Sequence, residues 1–309
     1  MEIDDLQKLL EDNVESAEFE FYKGQCIFLS DMYKRYNNDL DNANIVMFFA
    51  KNLHLKILRE REKDLNYNIS FQSFWLNRHK VVHEEFRIIN IANETGLPKE
   101  TTRRKIQNLI KLKVLKKIGK KVFWSPPEVV EVESSQEVDN HIKILTTLTN
   151  LVIKKLNLSF SNENINAIIK KNFSFFWYHY LQTQLKFLKI WKLHLVDLEL
   201  LLISIECSVQ GQLIFSNKRK LNKENVISAT TISNITGIPR VTCIRKLKKL
   251  YKLKLISRDN LTKRYSINIQ NLSNNKIFTK ETKIKVKELF GSFLVIILRA
   301  LENAKKVRQ

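Results

Sequence analysis

Two stretches of the chain carry mainly apolar residues at helical spacing, and within each stretch the intervening positions are rich in charged residues. The positions that fall on this mainly apolar face are Thr102, Ile106 and Leu109 in the first stretch and Cys243, Leu247 and Leu250 in the second. Side chains at positions i, i+4 and i+7 fall on the same side of a helix. Each stretch is therefore predicted to form a helix with one buried face and one charged face.

The sequence before and after each predicted helix follows the same order of signals. A short apolar pattern ends at Gly96 or Gly237, where a helix can close with positive φ, and Pro98 or Pro239 then stands at the next helix start. After each helix the hydrophobic period changes to alternation, in "LKVLKKIGKKVFWS" and "LKLISRDNLTKRYSINI". Alternation with turn residues between predicts β-hairpins, with tips at Gly119-Lys120 and Asp259-Asn260.

The two stretches are also alike residue by residue. Residues 93–113 align with residues 234–254 without gaps, and 11 of the 21 aligned positions are identical. The likeness extends more weakly to the long helical patterns at Phe19–Ala50 and Phe175–Glu206, where Asp41 aligns with Asp197. We therefore interpret the chain as an internal duplication, with halves at 1–160 and 161–309 and cores at 86–125 and 226–270.

Charge is concentrated in these same stretches. The 309 residues carry a net charge of +21. Ten basic residues and one acid lie between Pro98 and Lys121, and ten basic residues and one acid lie between Pro239 and Arg264. A positive surface of this kind favours a polyanionic partner such as nucleic acid.

A helix, a tight glycine turn, a second helix and a hairpin together resemble the winged helix-turn-helix. The "TG[IL]P[KR]xT" entry of each basic stretch resembles the start of a recognition helix, and each half with its long helices resembles a MarR-type regulator subunit. The resemblance implies a fold that is mainly α with small β-hairpin wings, made of two such units joined by long helices. It also implies that one recognition helix and one wing of each unit contact DNA.

The DNA-binding residues that this interpretation predicts lie on the charged faces of the basic helices and on the hairpin tips. They are Lys99, Thr101, Arg103, Arg104, Lys105, Lys120 and Lys121 in the first unit, and Arg240, Thr242, Arg245, Lys246, Lys249, Lys263 and Arg264 in the second.

From these residues we expect a sequence-specific regulator of transcription that binds double-stranded DNA as an intramolecular pseudo-dimer on an imperfect palindrome. It would act as a monomer or as a homodimer, and any small-molecule effector is unknown. Two alternatives stay open. One is a plasmid-type replication initiator with tandem winged helices, which would bind iterated direct repeats. The other is a winged-helix module that binds proteins.

Other classes of function have little support in the sequence. No Ser-His-Asp order, phosphate-binding glycine loop or metal-ligand spacing is present, so neither an enzyme nor a cofactor is expected. The apolar stretches are short and interrupted by charge, and the N-terminus lacks the form of a signal peptide, so we expect a cytoplasmic, nucleoid-associated protein without membrane contact.

Two features each have a functional and a structural interpretation. Cys243 lies within the second basic helix, where it would be either a redox switch or a small core residue, and its inward position favours the core. The aromatic run "FSFFWYHY" (Phe173–Tyr180) would either line an effector pocket or form core, and core is the commoner use of such a face.

Overall fold

The computed structural model describes residues 14–81, 84–125, 132–157, 165–195, 197–216, 227–267 and 280–306. Its described residues are mainly helical, with two small antiparallel sheets, as the sequence predicts. Residues 226 and 268–270 of the expected second core lie outside the described part. Among the described helices, none is long and apolar enough to cross a membrane.

The described residues group into two compact units. The first unit contains residues 41–189 and 288–306, and the second contains residues 15–40 and 190–287. The long helices are α1 (Val14–Arg35), α2 (Leu40–Lys63), α6 (Val132–Lys155), α8 (Phe173–Lys192), α9 (Leu198–Ser216) and α12 (Lys280–Lys306), and the short helices α3 (Phe71–Asn77) and α7 (Ile165–Lys171) lie in the first unit. A 3₁₀ turn at Arg78–Lys80 follows α3.

The compact units divide the chain differently from the expected halves at residue 160. Helix α1 belongs to the first half of the sequence but to the second unit. Most of α8 belongs to the second half of the sequence but to the first unit. Each half of the sequence therefore supplies its first long helix to the unit that holds the basic stretch of the other half.

The two aligned basic stretches adopt the same local structure. In the first unit, β1 (Phe86–Arg87) is followed by α4 (Ile88–Thr95), α5 (Lys99–Lys111), β2 (Leu115–Ile118) and β3 (Lys121–Trp124). In the second unit, a bridge at Ile227 is followed by α10 (Ala229–Thr236), α11 (Arg240–Lys252), β4 (Ile256–Arg258) and β5 (Tyr265–Ile267). We call α5 and α11 the basic helices.

A left-handed glycine joins the two helices of each pair. Gly96 has φ +69° and Gly237 has φ +76°, and each is the C-cap of the helix before it. Before each glycine a buried threonine hydroxyl donates to its own helix, from Thr95 to Ile91 O and from Thr236 to Ile232 O, both at 2.7 Å. These bonds satisfy the buried hydroxyls where the helix ends.

After each glycine, one apolar side chain of the turn packs into the core. Leu97 is 4% exposed and Ile238 is fully buried. The predicted inward faces are confirmed, because Thr102, Ile106, Leu109, Cys243, Leu247 and Leu250 are all at most 1% exposed.

In each unit the two strands after the basic helix pair antiparallel as a hairpin, but the loops of the two hairpins differ in length. In the first sheet the order is β1-β3-β2, and the turn between β2 and β3 is Gly119-Lys120, as predicted. In the second, β4 and β5 are joined by six residues, so the loop is longer than the predicted tip. The Asp259 carboxylate accepts from the backbone N–H groups of Leu261 and Thr262, which stabilises the extra turn.

The aromatic run of α8 forms core in the first unit. Phe173, Phe176, Trp177 and Tyr180 are each at most 8% exposed, and Phe173 makes edge contacts with Phe71 and Phe74 of α3 at 5.1 and 5.3 Å between ring centroids. Beside this cluster, His54 stacks on Phe74, and burial lowers its pKa to about 3. The ring is therefore neutral at physiological pH, as part of an apolar core requires.

This exchange of helices predicts that neither half of the sequence is stable alone. Residues 1–160 lack α8, so Phe71, Phe74 and His54 lose the ring of Phe173 that covers them. We expect each separate half, 1–160 or 161–309, to show little cooperative unfolding by circular dichroism and rapid amide exchange, whereas co-expression restores both. If either half alone unfolds cooperatively and shows native protection of its amides, the packing of α1 and α8 in the unit of the other half would be contradicted.

Candidate nucleic-acid interface

The first basic helix presents most of its predicted residues to solvent. Lys99, Arg103 and Arg104 are exposed, while Thr101 and Lys105 are half-buried. Pro98 is the N-cap and makes no side-chain hydrogen bond to the first turn. The first-turn N–H groups therefore lack a side-chain cap, and together with the positive end of the helix dipole they favour an anion.

The second basic helix has the same exposed face, with one exception. Arg240, Arg245 and Lys249 are exposed and Thr242 is half-buried. The Arg240 Nε atom donates to the Thr230 hydroxyl of α10 at 3.0 Å, which holds this side chain near the helix start. Pro239 is again the N-cap.

Lys246 is the exception, because its side chain is turned inward and is only 7% exposed. Its ammonium forms ion pairs with the carboxylates of Asp197 and Glu199, the latter at 2.8 Å. A buried ammonium needs such partners, because desolvation of an unpaired charge is costly. The structure therefore does not place Lys246 on the exposed face that its predicted DNA contact requires.

Asp197 joins two elements at this point. One carboxylate oxygen accepts from the backbone N–H groups of Glu199 and Leu200, at 3.0 and 3.2 Å, and thereby caps the start of α9. Burial raises the pKa of Asp197, but the hydrogen bond and charge of Lys246, with the two backbone N–H groups, outweigh burial and hold that pKa below its usual range. The ionised carboxylate thus ties the middle of α11 to the start of α9.

The first unit has an aspartate and a lysine at the positions aligned with Asp197 and Lys246. Asp41 lies in the first turn of α2, and Lys105 is half-buried in α5. Asn44 of α2 also donates from Nδ2 to the carbonyl of Thr95, at 2.9 Å, so α2 is bonded directly to the end of α4. In both units a long helix thus fixes the helix pair that carries the positive face.

A lysine from a second long helix covers each glycine turn. A Cβ atom at Gly96 would lie 3.1 Å from Lys189 Cγ, and one at Gly237 would lie 2.8 Å from Lys34 Cε. Lys189 Nζ also donates to the carbonyl of Asn93, at 2.8 Å. Positive φ therefore favours glycine at both turns, and a Cβ atom would also have to displace the lysine side chain that crosses the turn.

The hairpins place the remaining predicted residues in solvent. Lys120, Lys121, Lys263 and Arg264 are all exposed. Lys121 Nζ lies 2.5 Å from a carboxylate oxygen of Glu85, which is also exposed. Such a surface ion pair contributes little to stability, so it does not fix the Lys121 side chain in place.

The structure adds exposed side chains that the sequence interpretation left out. Gln107 and Lys248 extend the exposed face by one turn, and Lys116 and Lys117 lie exposed on β2. Helical spacing could have found the two helical residues, because Gln107 follows Arg104 and Lys248 follows Arg245 by three residues. Alternation along the strand would predict that every second side chain of β2 is buried. Because β2 is an edge strand, all of its side chains after Leu115 are exposed, so alternation does not identify Lys116 and Lys117 together.

Cys243 is a core residue. It is fully buried, and burial is the main cause that raises its pKa to about 11. The thiol donates to the carbonyl of Ile238 at 3.3 Å, and thiols that are buried and protonated react slowly. This supports the structural interpretation over a redox switch.

Comparison of the chain with protein-family models, with curated proteins and with solved structures gives no significant match. The function of this chain is therefore inferred from its own residues and their geometry.

Lys246 and Asp197 yield a stability prediction. We expect Asp197→Asn, which keeps the helix cap but removes the charge, to lower the free energy of unfolding by about 2 kcal/mol at pH 7. Because the pKa of folded Asp197 is lowered, its ionised form stabilises the fold above about pH 4, and this contribution is lost as the pH falls through the lowered pKa.

The measurement is urea unfolding of wild type and Asp197→Asn from pH 7 to pH 3, and the difference between them should shrink with acidification. Glu100→Gln is the matched control, since Glu100 is an exposed carboxylate. A difference that stays constant with pH would contradict the ion pair.

The cysteines yield a second prediction. All three are buried, and burial raises the pKa of each. We expect a chromogenic thiol reagent to label none of the cysteines within minutes in native protein at pH 7.5. After denaturation in guanidinium, the same reagent should label three cysteines per chain. If the native protein is labelled rapidly and Cys243→Ser removes that labelling, the result would favour the redox-switch interpretation of Cys243.

Proposed function

We propose that this protein is a sequence-specific regulator of transcription that binds double-stranded DNA through two winged helix-turn-helix units. The observation that carries the proposal is the repeated basic helix: in each unit a 13-residue helix buries one face and exposes arginine and lysine on the other. A helix of this kind fits the major groove of B-DNA and presents its side chains to base edges.

The local architecture supports the helix-in-groove interpretation over a merely solvated charged helix. The basic helix is the second of a pair joined by a tight left-handed turn. The segment before the pair bonds to the hairpin after it, through strand β1 in the first unit and through a single bridge at Ile227 in the second. This order, repeated in both units, is the one that a winged helix-turn-helix requires. The exposed hairpin lysines would then contact the phosphate backbone beside the groove.

Arg104 and Arg245 are the side chains that we assign to base contacts. They are aligned, identical and exposed, and each lies in the second turn of its basic helix. A guanidinium can donate two hydrogen bonds to O6 and N7 of guanine, the commonest specific contact in the major groove. Lys99 and Arg240, in the first turns, and the hairpin residues are assigned to phosphate.

We further propose that the protein acts as an intramolecular pseudo-dimer, with one half-site for each basic helix, on an imperfect palindrome. The identical residues of the two helices favour related half-sites. The differing residues, such as Glu100 against Val241, make the half-sites unequal.

Arginine substitutions test the proposal. Sites are first selected from random duplex DNA with the wild-type protein, and binding is then measured across a salt series. We expect Arg104→Ala and Arg245→Ala each to weaken binding to the selected site about 10- to 100-fold, because each loses a bidentate base contact. Lys154→Ala, an exposed lysine at the end of α6, is the matched control and should bind within about twofold of wild type.

The selected sequence and its footprint distinguish the alternatives. Protection of two inverted half-sites, one lost in each arginine variant, supports the regulator. Iterated direct repeats would favour a replication initiator instead. No binding to duplex DNA of any sequence at low salt would refute DNA recognition and leave the protein-interaction module, since phosphate contacts strengthen as salt falls.

A further inference from the structure

The exposed faces of the two basic helices differ most in chemistry at their first two positions. Four aligned positions, at helical spacing, form this face: Glu100, Arg103, Arg104 and Gln107 on α5, and Val241, Ile244, Arg245 and Lys248 on α11. The third position is arginine in both. The first two positions are an acid and a base in α5 but two β-branched apolar residues in α11.

On α5 the first two positions form an ion pair in solvent. Arg103 Nε donates to Glu100 Oε2 at 2.9 Å, and the two side chains are 60% and 74% exposed. The pair holds a carboxylate acceptor beside a guanidinium with further N–H donors. A C·G base pair offers the complement in the major groove, because cytosine N4 donates and guanine O6 and N7 accept.

On α11 the same place is apolar and uncovered. Val241 is 78% exposed in the first turn, between Arg240 and Thr242, and Ile244 is half-buried one turn later. A single exposed valine is ordinary on a protein surface. Here, however, it interrupts a cationic face at the position where the aligned helix carries a hydrogen-bonding side chain.

We propose that Val241 contacts the C5-methyl group of a thymine, at the position where Glu100 and Arg103 contact a C·G pair in the other half-site. The methyl group is the one apolar feature of the major-groove edge, so it is the feature that an exposed valine can recognise. Arg104 and Arg245 then specify guanine in both half-sites. This inference rests on the proposed function, and it names the base that makes the two half-sites unequal.

Exchange of the two residues is the sharpest test. Sites are selected from random duplex DNA with wild type, Glu100→Val, Val241→Glu and the double exchange. We expect wild type to select C·G in one half-site and T·A in the other. Glu100→Val should weaken the C·G preference in the first half-site, because the contact to cytosine N4 is lost while Arg103 keeps its contact to guanine. Val241→Glu should abolish the T·A preference in the second half-site, and the double exchange should show both changes together.

Removal of the methyl group alone provides a second readout on the wild-type site. Uracil in place of the thymine keeps base pairing and removes only that methyl. Because burial of one methyl group contributes less than about 1 kcal/mol, we expect about a threefold loss of affinity for wild type and no loss for Val241→Ala. Uracil at other thymines of the site should have no effect. Lys117→Ala, on the first hairpin, should weaken binding to every sequence equally and leave the selected bases unchanged.

The outcomes separate this inference from the function on which it rests. Both substituted positions are exposed, so unchanged thermal unfolding is expected and is measured for each variant. If wild type selects a specific site but Val241→Glu and Glu100→Val leave its bases unchanged, the assignment of Val241 and Glu100 is overturned while DNA recognition stands. If wild type selects no sequence at all, the proposed function fails, and the inference fails with it.

Discussion

The glycine turn between the paired helices is the constraint on which the rest of each unit depends. Gly96 and Gly237 adopt positive φ, which strains any other residue, and a lysine side chain crosses close to each of them. This turn sets the direction in which α5 and α11 leave the core. Because the direction is fixed, one stripe of each basic helix is buried and the opposite stripe meets solvent.

A long helix then holds each basic helix in that direction. In the second unit, Asp197 caps α9 and accepts from Lys246, so the start of one helix and the middle of another share a carboxylate. An ion pair that is partly shielded from water has a stronger directional preference than a surface pair. Its role is therefore to position α11, whose exposed side carries the candidate contacts.

The inward and outward residues of each basic helix therefore have different roles. Inward residues such as Leu247 and Lys246 hold the helix, and outward residues such as Arg245 and Val241 are free of packing constraints. The outward set can thus differ between the two helices without a cost in stability. Two aligned helix pairs that bury side chains at the same positions but differ at several outward positions would suit the two related but unequal half-sites that we propose.

The sequence alone determined the paired helices, their glycine turns, the buried stripes and the hairpins, because these depend on local periodicity and on residues such as Gly96 and Pro98 that restrict the backbone. Most of the candidate contacts follow from the same periodicity. Only the tertiary structure decided that Lys246 is buried, since this depends on Asp197, 49 residues away. It also decided that α1 and α8 pack in the unit of the other half, because long apolar helices carry no local signal for the partner they cover.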